Sequence, residues 1–234
     1  MNKDEFINEI KNLNIEVTDE KLSKLEEYYN LLIEWNEKIN LTAITNKEDV
    51  YLKHFYDSLT IIKAYDLNQE LNICDVGTGA GFPGIVLKIF FPNLKITLVD
   101  ALNKRIIFLN EVVNKLDLKD IIAVHTRAED FAKKHIEEFD IVTSRAVAKL
   151  NILNELCVPM VKVEGYFIAM KANIDEELEK SKNSLKKLDC KLEEVISFSL
   201  PIENSVRNIV KIKKIKKTKE KYPRKFDKIS KNPL

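Results

Sequence analysis

Four of the five glycines in this 234-residue chain fall within eight positions, in the run Cys74-Asp75-Val76-Gly77-Thr78-Gly79-Ala80-Gly81-Phe82-Pro83-Gly84. An apolar segment precedes the run and an amphipathic one follows it, so it reads as a strand-to-helix turn where glycine permits positive φ and close backbone approach. A tight turn needs one or two glycines; four indicate a loop shaped for a ligand. Pro83 suits the first helical turn, and the loop is expected to aim free N–H groups at an anion, whether a carboxylate or a pyrophosphate. Gly79-x-Gly81-x-x-Gly84 satisfies the dinucleotide fingerprint, and Asp100, 19 residues beyond Gly81, ends the next strand, where a carboxylate meets ribose hydroxyls. A helix N-cap is the plainer role for Asp100. Asp75 is placed to touch the ligand or to brace the loop. On spacing alone the ligand is a nucleoside-containing cofactor of open type, and an NAD(P)-linked oxidoreductase is one reading of it.

The elements that must position these residues follow from periodicity. Strands are expected at Leu71–Val76, Lys95–Val99, Ile121–Val124, Phe139–Thr143, Gly165–Met170, Lys191–Ser199 and Asn208–Ile215. Helices are expected between them, at Pro83–Phe91, Leu102–Leu116, Ala128–Lys134, Leu150–Val161 and Ile174–Leu188. This alternation predicts an α/β fold, a mostly parallel seven-stranded sheet with helices on both faces. The last two strands, joined through Pro201 and Asn204, predict an antiparallel finish. Residues 3–65 read as helical throughout, with a stripe (Leu22, Leu25, Tyr29, Leu32, Trp35, Ile39) that no glycine or proline interrupts, and starts are expected at Asp19 and at Asn46–Asp49. The division expected is a helical cap (1–65), a ligand-binding core (66–216) and a basic tail (217–234), packed as one unit.

Composition narrows the class. With 45% hydrophobic and 32% charged residues the chain has material for a core, and no stretch approaches the ~18 apolar residues of a membrane span. A soluble cytoplasmic protein, monomeric and away from membranes, is expected. Cys74, Cys157 and Cys190 are odd in number and far apart, which argues for reduced thiols, and no residue cluster has metal-ligand spacing. The net charge of +1 hides an asymmetry: residues 205–234 hold 12 Lys and Arg against 2 acids, and the other 204 hold 26 against 35. A basic end on an acidic body points to a polyanionic partner.

The loop Asp75–Gly84 resembles the first motif of Rossmann-like class I S-adenosylmethionine-dependent methyltransferases. Trp35-Asn36, Asn40-Leu41-Thr42-Ala43-Ile44, His54-Phe55-Tyr56-Asp57-Ser58-Leu59, Asp100 with Lys104-Arg105, Arg127-Ala128-Glu129 and Ser144-Arg145-Ala146-Val147-Ala148 are similar, in order along the whole chain, to the bacterial glucose-inhibited division protein B family. Members of that family methylate guanine N7 in small-subunit (16S) ribosomal RNA. The resemblance implies S-adenosylmethionine as cofactor, held by Asp75, Gly77, Gly79, Gly81 and Phe82 at the loop, Asp100 at the ribose and Ala128-Glu129 at the adenine. It implies Arg145 beside the methyl-transfer site, and RNA contacts from His54, Lys104, Arg105, Lys171, Arg224, Lys225 and Lys231. The family's usual Tyr-Pro-Arg-Lys-Pro-Gly ending departs here after Tyr222-Pro223-Arg224-Lys225, where Phe226-Asp227-Lys228 stands.

Absences bear on the target atom. The Asn/Asp-Pro-Pro-Tyr/Phe loop of many amine methyltransferases is missing after the fourth strand, and Cys157, in Leu156-Cys157-Val158-Pro159, sits in an apolar setting unlike an activated thiolate. His54 lies beside Asp57 at a spacing that permits same-face contact. In the tail, lysines from Lys211 to Lys225 interleave with Ile212, Ile215, Tyr222 and Phe226, a pattern suited to phosphates and unpaired bases and equally to a solvated strand edge. A non-enzymatic RNA-binding protein on a methyltransferase fold is the remaining alternative.

Overall fold

A computed structural model describes all 234 residues. Helix α1 (Lys3–Asn12) opens on a capping box between Asn2 and Glu5, and α2 (Asp19–Ile39) is capped by Thr18, whose hydroxyl accepts from the Lys21 N–H. The N-terminal segment is not helical throughout, because asparagine replaces glycine as the breaker. Asn14 and Asn40 take left-handed φ of 58° and 49°, and Asn36 Oδ1 accepts from the Leu41 and Thr42 amides, which turns the chain out of α2. Helicity resumes at Asn46, which caps α3 (Lys47–Val50), continues through a π-helical turn (Tyr51–Tyr56) and α4 (Asp57–Leu59), and ends in a 3₁₀ turn (Thr60–Lys63). Within α2 it is Tyr28 that faces the core; Tyr29 stays half-buried at its margin.

Seven strands follow: β1 (Asn72–Val76), β2 (Lys95–Asp100), β3 (Ile121–His125), β4 (Phe139–Arg145), β5 (Val161–Lys171), β6 (Cys190–Ser199) and β7 (Val206–Lys214). Their order is β3-β2-β1-β4-β5-β7-β6, with β1 to β5 parallel and β7 antiparallel to both of its neighbours. The interleaved helices are α5 (Gly84–Phe90), α6 (Asn103–Lys115), α7 (Ala128–Lys134), α8 (Leu150–Cys157), α9 (Asp175–Lys187) and, after β7, α10 (Phe226–Lys231). The helix expected to reach Val161 stops at Cys157, because Pro159 lacks an N–H for the ladder; a short 3₁₀ turn, Val158–Met160, leads into β5.

Successive side chains of β1 enter different cores: Ile73 packs with α1, α2 and α5 on one face, whereas Cys74 and Val76 pack with α7 and α8 on the other. The N-terminal helices therefore share the larger core with the sheet, through Phe6, Leu25 and Tyr28. Strand order reverses between β1 and β4, and in such sheets the crevice beyond the carboxyl ends at that point takes the ligand. Gly77, Asp100, Arg145 and Lys171 all stand at that end. No helix is long and apolar enough to cross a membrane.

Candidate functional site

Most amides of the glycine loop are already spent within the protein. Gly77 and Thr78 N–H donate to the Val99 carbonyl at 2.8 and 3.1 Å, and Gly81 and Phe82 N–H to the Thr78 carbonyl at 2.9 and 3.0 Å. Gly79 N–H donates to Asp100 Oδ2 at 3.0 Å and Gly84 N–H to Asp75 Oδ2 at 2.9 Å. The expected row of free amides is thus reduced to one, Ala80 N–H, and with Pro83 carrying no N–H, a carboxylate already occupies the start of α5. The first amide of α5 is therefore not available to a pyrophosphate, which counts against a dinucleotide.

The space above the loop suits a ligand that lies against backbone. Gly79 has φ +62°, and a side chain built on it would touch nothing within 4 Å, so the residue borders open cleft. At Gly77 (φ +70°) a Cβ would stand 2.5 Å from Val147 Cγ2. Gly81 lies underneath, against Ile85 and the Tyr28 hydroxyl, and Tyr28 donates to the Ala80 carbonyl. Helix α2 thereby supports the loop from below.

The two acids divide the work. Asp75 is fully buried and lines no cleft. Its Oδ2 accepts from Thr78 Oγ1 and Gly84 N, its Oδ1 has no partner, and burial pushes its pKa up to about 6 against the pull of those hydrogen bonds. Of its two expected roles, bracing is the one the geometry displays. Asp100, 4% exposed, accepts from Leu102 N at 2.9 Å through Oδ1 and from Gly79 N and Arg105 NH1 (3.1 Å) through Oδ2, while lining the cleft. It joins the loop to the entry of α6.

Arg145 ends β4 and is held from three directions. NH1 donates to the Lys53 carbonyl and to Asp57 Oδ2, both at 3.1 Å, NH2 faces His54 Nδ1 at 3.4 Å, and the guanidinium lies 5.1 Å over the Phe82 ring. His54 stacks on Phe82 with ring centroids 4.5 Å apart, and its Nε2 meets Thr42 Oγ1 at 2.9 Å. Burial and the Arg145 charge push the His54 pKa down to about 3, so the ring is neutral, with Nδ1 the acceptor and the proton assigned to Nε2 by this network. His54 and Asp57 meet through Arg145. Asp57, on α4, also faces Arg207: Nε stands 3.3 Å from Oδ1, within ion-pair reach but not aligned as a hydrogen bond.

Two clefts share this wall. One, of about 480 Å³, is lined by Gly77, Thr78, Gly79, Ala80, Phe82, Asp100, Leu102, Arg105, Thr42 and Val147; the other, of about 520 Å³, by Lys53, Asp57, Thr60, Lys171, Asn173, Glu177, Phe198, Arg207 and Asn208. His54, Arg145 and Ala146 border both, and Ala146 holds a left-handed φ of 56°. Lys171, 9% exposed, donates to the Ala148 carbonyl and pairs with Glu177 at 2.7 Å.

The other expected site residues stand further out. Lys104 is exposed on α6 beside the first cleft, whose lining includes Arg105 and not Lys104. Ala128 and Glu129 open α7 and line neither cleft; Glu129 is buried with Arg127 at 3.9 Å. Arg224, Lys225 and Lys231 lie with α10 on α8, and Arg224 is committed to buried Glu155. Sequence reasoning missed Arg207, Lys53, Thr42 as a histidine partner and Tyr28. Arg207 carried a signal, a cation opening the final strand, which merged into the charge of the tail. Buried Cys74 and Cys157 have thiol pKa values pushed up by desolvation and take no part in the clefts.

Comparison with known proteins identifies the family and the fold. The GidB family model, described as rRNA small subunit methyltransferase G, matches residues 21–210. "Ribosomal RNA small subunit methyltransferase G" of Bacillus cytotoxicus is 53% identical, with 100% of this chain and 99% of that protein covered, and its namesake from Oceanobacillus iheyensis is 49% identical with both chains covered in full. Among solved structures, M. jannaschii TYW2 in complex with AdoMet aligns over 68% of this chain and 77% of its own with a TM-score of 0.54 at 16% identity. A SAM dependent methyltransferase from Aquifex aeolicus aligns over 71% and 93% with a TM-score of 0.53 at 18% identity. These two show the class I methyltransferase fold, and the family match and the full-length relatives show that the chain belongs to the GidB family, the rRNA small subunit methyltransferases G.

Proposed function

We propose that this S-adenosylmethionine-dependent methyltransferase methylates N7 of a guanine in the 16S ribosomal RNA of the small subunit, in the bacterial cytoplasm where that RNA resides. The observation that carries the target atom is the wall between the clefts. Its titratable groups are a histidine kept neutral with both nitrogens engaged, an arginine, and a carboxylate facing two arginines. None of them is poised to take a proton. Guanine N7 has a lone pair and no proton to lose, so this wall suits it, whereas a nucleophile that must be deprotonated would find no unpaired base, since Glu177, the other carboxylate of the second cleft, is engaged by Lys171.

The first cleft fits the cofactor. Gly77, Gly79 and Phe82 would lie along it and Asp100 at the ribose, with Gly81 and Asp75 supporting from below and Ala128-Glu129 nearest the adenine. The bound cofactor supplies an electrophilic methyl group on a sulfonium. The second cleft would take the guanine, with Lys53, Lys171 and Arg207 at its phosphates. Arg145 has donors left over that suit guanine O6, which leaves N7 free to face the first cleft. Fixing the reacting atoms in line can supply on the order of 7–11 kcal/mol of the barrier, and closing the junction strengthens the fixed dipoles around it. The NAD(P) alternative meets a loop with a single unspent amide, that of Ala80.

The test is incubation with methyl-labelled S-adenosylmethionine and small subunits lacking the modification, then digestion of the RNA to nucleosides. Label is expected in N7-methylguanosine. Label in another nucleoside overturns the target, and no label alongside an active control favours a non-enzymatic RNA-binding protein.

A further inference from the structure

We infer that α10 and the residue before it form a second contact for the RNA backbone, on the outer side of α8 and separate from both clefts. This rests on the ribosomal RNA reading proposed above.

The basic C-terminal stripe divides in the folded protein. Lys211 pairs with Glu193 at 3.0 Å, Lys213 with Glu164 at 2.7 Å, Lys214 with Glu137 at 3.2 Å and Lys219 with Asp189 at 3.1 Å. Lys214 is 1% exposed and also donates to the Val158 and Pro159 carbonyls, so it is part of the core. Arg224 is spent as well: its backbone N–H and Nε donate to Glu155 Oε1 at 3.0 and 2.8 Å, and NH2 to Oε2 at 2.6 Å. It anchors the segment through its backbone N–H, Nε and NH2.

Lys225, Lys228 and Lys231 have no carboxylate within ion-pair distance. They recur every three residues on one face of α10 and line a groove of about 570 Å³ that contains no apolar side chain and only one acid, Asp227. Like charges at this spacing repel along a helix. Here the repulsion is uncompensated inside the protein, and a polyanion laid in the groove relieves it. Without an apolar side chain the groove has nothing to insert into a bilayer, and what it offers is charge for phosphate. Ile229, on the opposite face of α10, is fully buried against the α8 side of the core and fixes the groove outward. No residue after Asn208 and Ile209 lines either cleft, and the thickness of α8, roughly 10 Å with side chains, lies between groove and sheet. The ligand is therefore phosphate of a folded RNA outside the two clefts, which a hairpin confined to the clefts leaves untouched.

The experiment measures binding of the full chain to full-length 16S RNA and to a short hairpin holding the target, across a salt series, for wild type and for K225Q/K228Q/K231Q. Removing three phosphate contacts should lower the slope of log K against log salt by roughly 2–3 for the long RNA and leave the hairpin slope unchanged. K228E alone should weaken long-RNA binding further than K228Q. An unchanged slope on the long RNA overturns the contact, and an equal fall on both RNAs overturns its separation from the target. Binding is read independently of methylation, so salt-dependent binding without methyl transfer counts against the catalytic reading and leaves this one standing.

Discussion

Arg145, the last residue of β4, donates to Asp57 on α4 at 3.1 Å, an ion pair 7% and 13% exposed on its two sides that joins the sheet to the N-terminal helices across 88 positions of sequence. The carboxylate turns one arginine toward the shared wall and faces a second, Arg207, in the second cleft. Asp57→Asn keeps the shape and removes the charge. The expected outcome is a fall in kcat of on the order of 10–100-fold, corresponding to about 1.4–2.7 kcal/mol of barrier, with cofactor affinity within about threefold. Single-turnover methylation and calorimetry read the two quantities. Equal loss in both would make the pair a support of the cofactor cleft.

For Arg145→Ala the same assays should show a larger fall in methyl transfer, because the guanidinium is lost together with its support of His54 and Phe82. Loss of cofactor binding with transfer intact at saturation would place Arg145 in the other cleft.

Glycine substitutions separate a wall from a support. Gly79→Ala puts a methyl group into open cleft at a left-handed φ, so cofactor affinity should drop about tenfold or more while the fold loses roughly 1–2 kcal/mol. Gly77→Ala drives a methyl group into Val147 and should displace the Arg145–Ala148 turn, which lowers transfer as well as binding. Calorimetric Kd values beside urea midpoints check this. A Gly79→Ala protein that binds normally would mean the cofactor does not lie against that residue.

How far the sequence revealed this depends on whether a residue's role is local. All seven strands and the reversal at β7 were legible, because two-residue and three-to-four-residue periodicities are written along the chain. The loop and Asp100 were legible for the same reason. The spending of its first three amides was not, since their acceptors, Val99 and Asp100, come from another strand. Arg207 and Asp57 meet only after β7 inserts between β5 and β6. The tail misled because a run of lysines looks alike whether each has an acid across the sheet, as Lys214 does, or none, as Lys228 does. Asn14 and Asn40 hid two helix ends that glycine would have announced.

Arg224 and Glu155 make a stability prediction. Glu155 is 0% exposed and its oxygens accept three hydrogen bonds from Arg224. Arg224→Ala strands a buried carboxylate and should cost about 3–5 kcal/mol, while adding Glu155→Leu should recover much of that. Urea denaturation of the double-mutant cycle measures the coupling. A loss under 1 kcal/mol in the single variant would mean that the segment is held by Tyr222 and Ile229 alone.

Two buried groups give opposite acid responses. Asp75 has its pKa raised to about 6 from an ordinary 3.8, so its favourable contribution is fully present below about pH 4 and is lost as pH rises through 6. At about 1.36 kcal/mol for each pH unit, that is roughly 3 kcal/mol. His54 has its pKa lowered to about 3 from 6.5, so its contribution is present above pH 6.5 and is lost as pH falls toward 3. Asp75→Asn retains an acceptor for Gly84 N–H and Thr78 without the charge, so its stability relative to wild type should rise between pH 4 and 6 and stay level above. His54→Gln retains a donor for Thr42 and an acceptor for Arg145, so its advantage should grow as pH falls below 6.5. Urea midpoints from pH 4 to 8 separate the two, because the slopes differ in sign where they overlap. A profile of Asp75→Asn parallel to wild type would mean that water reaches Oδ1 and keeps the acid ionised beneath the loop.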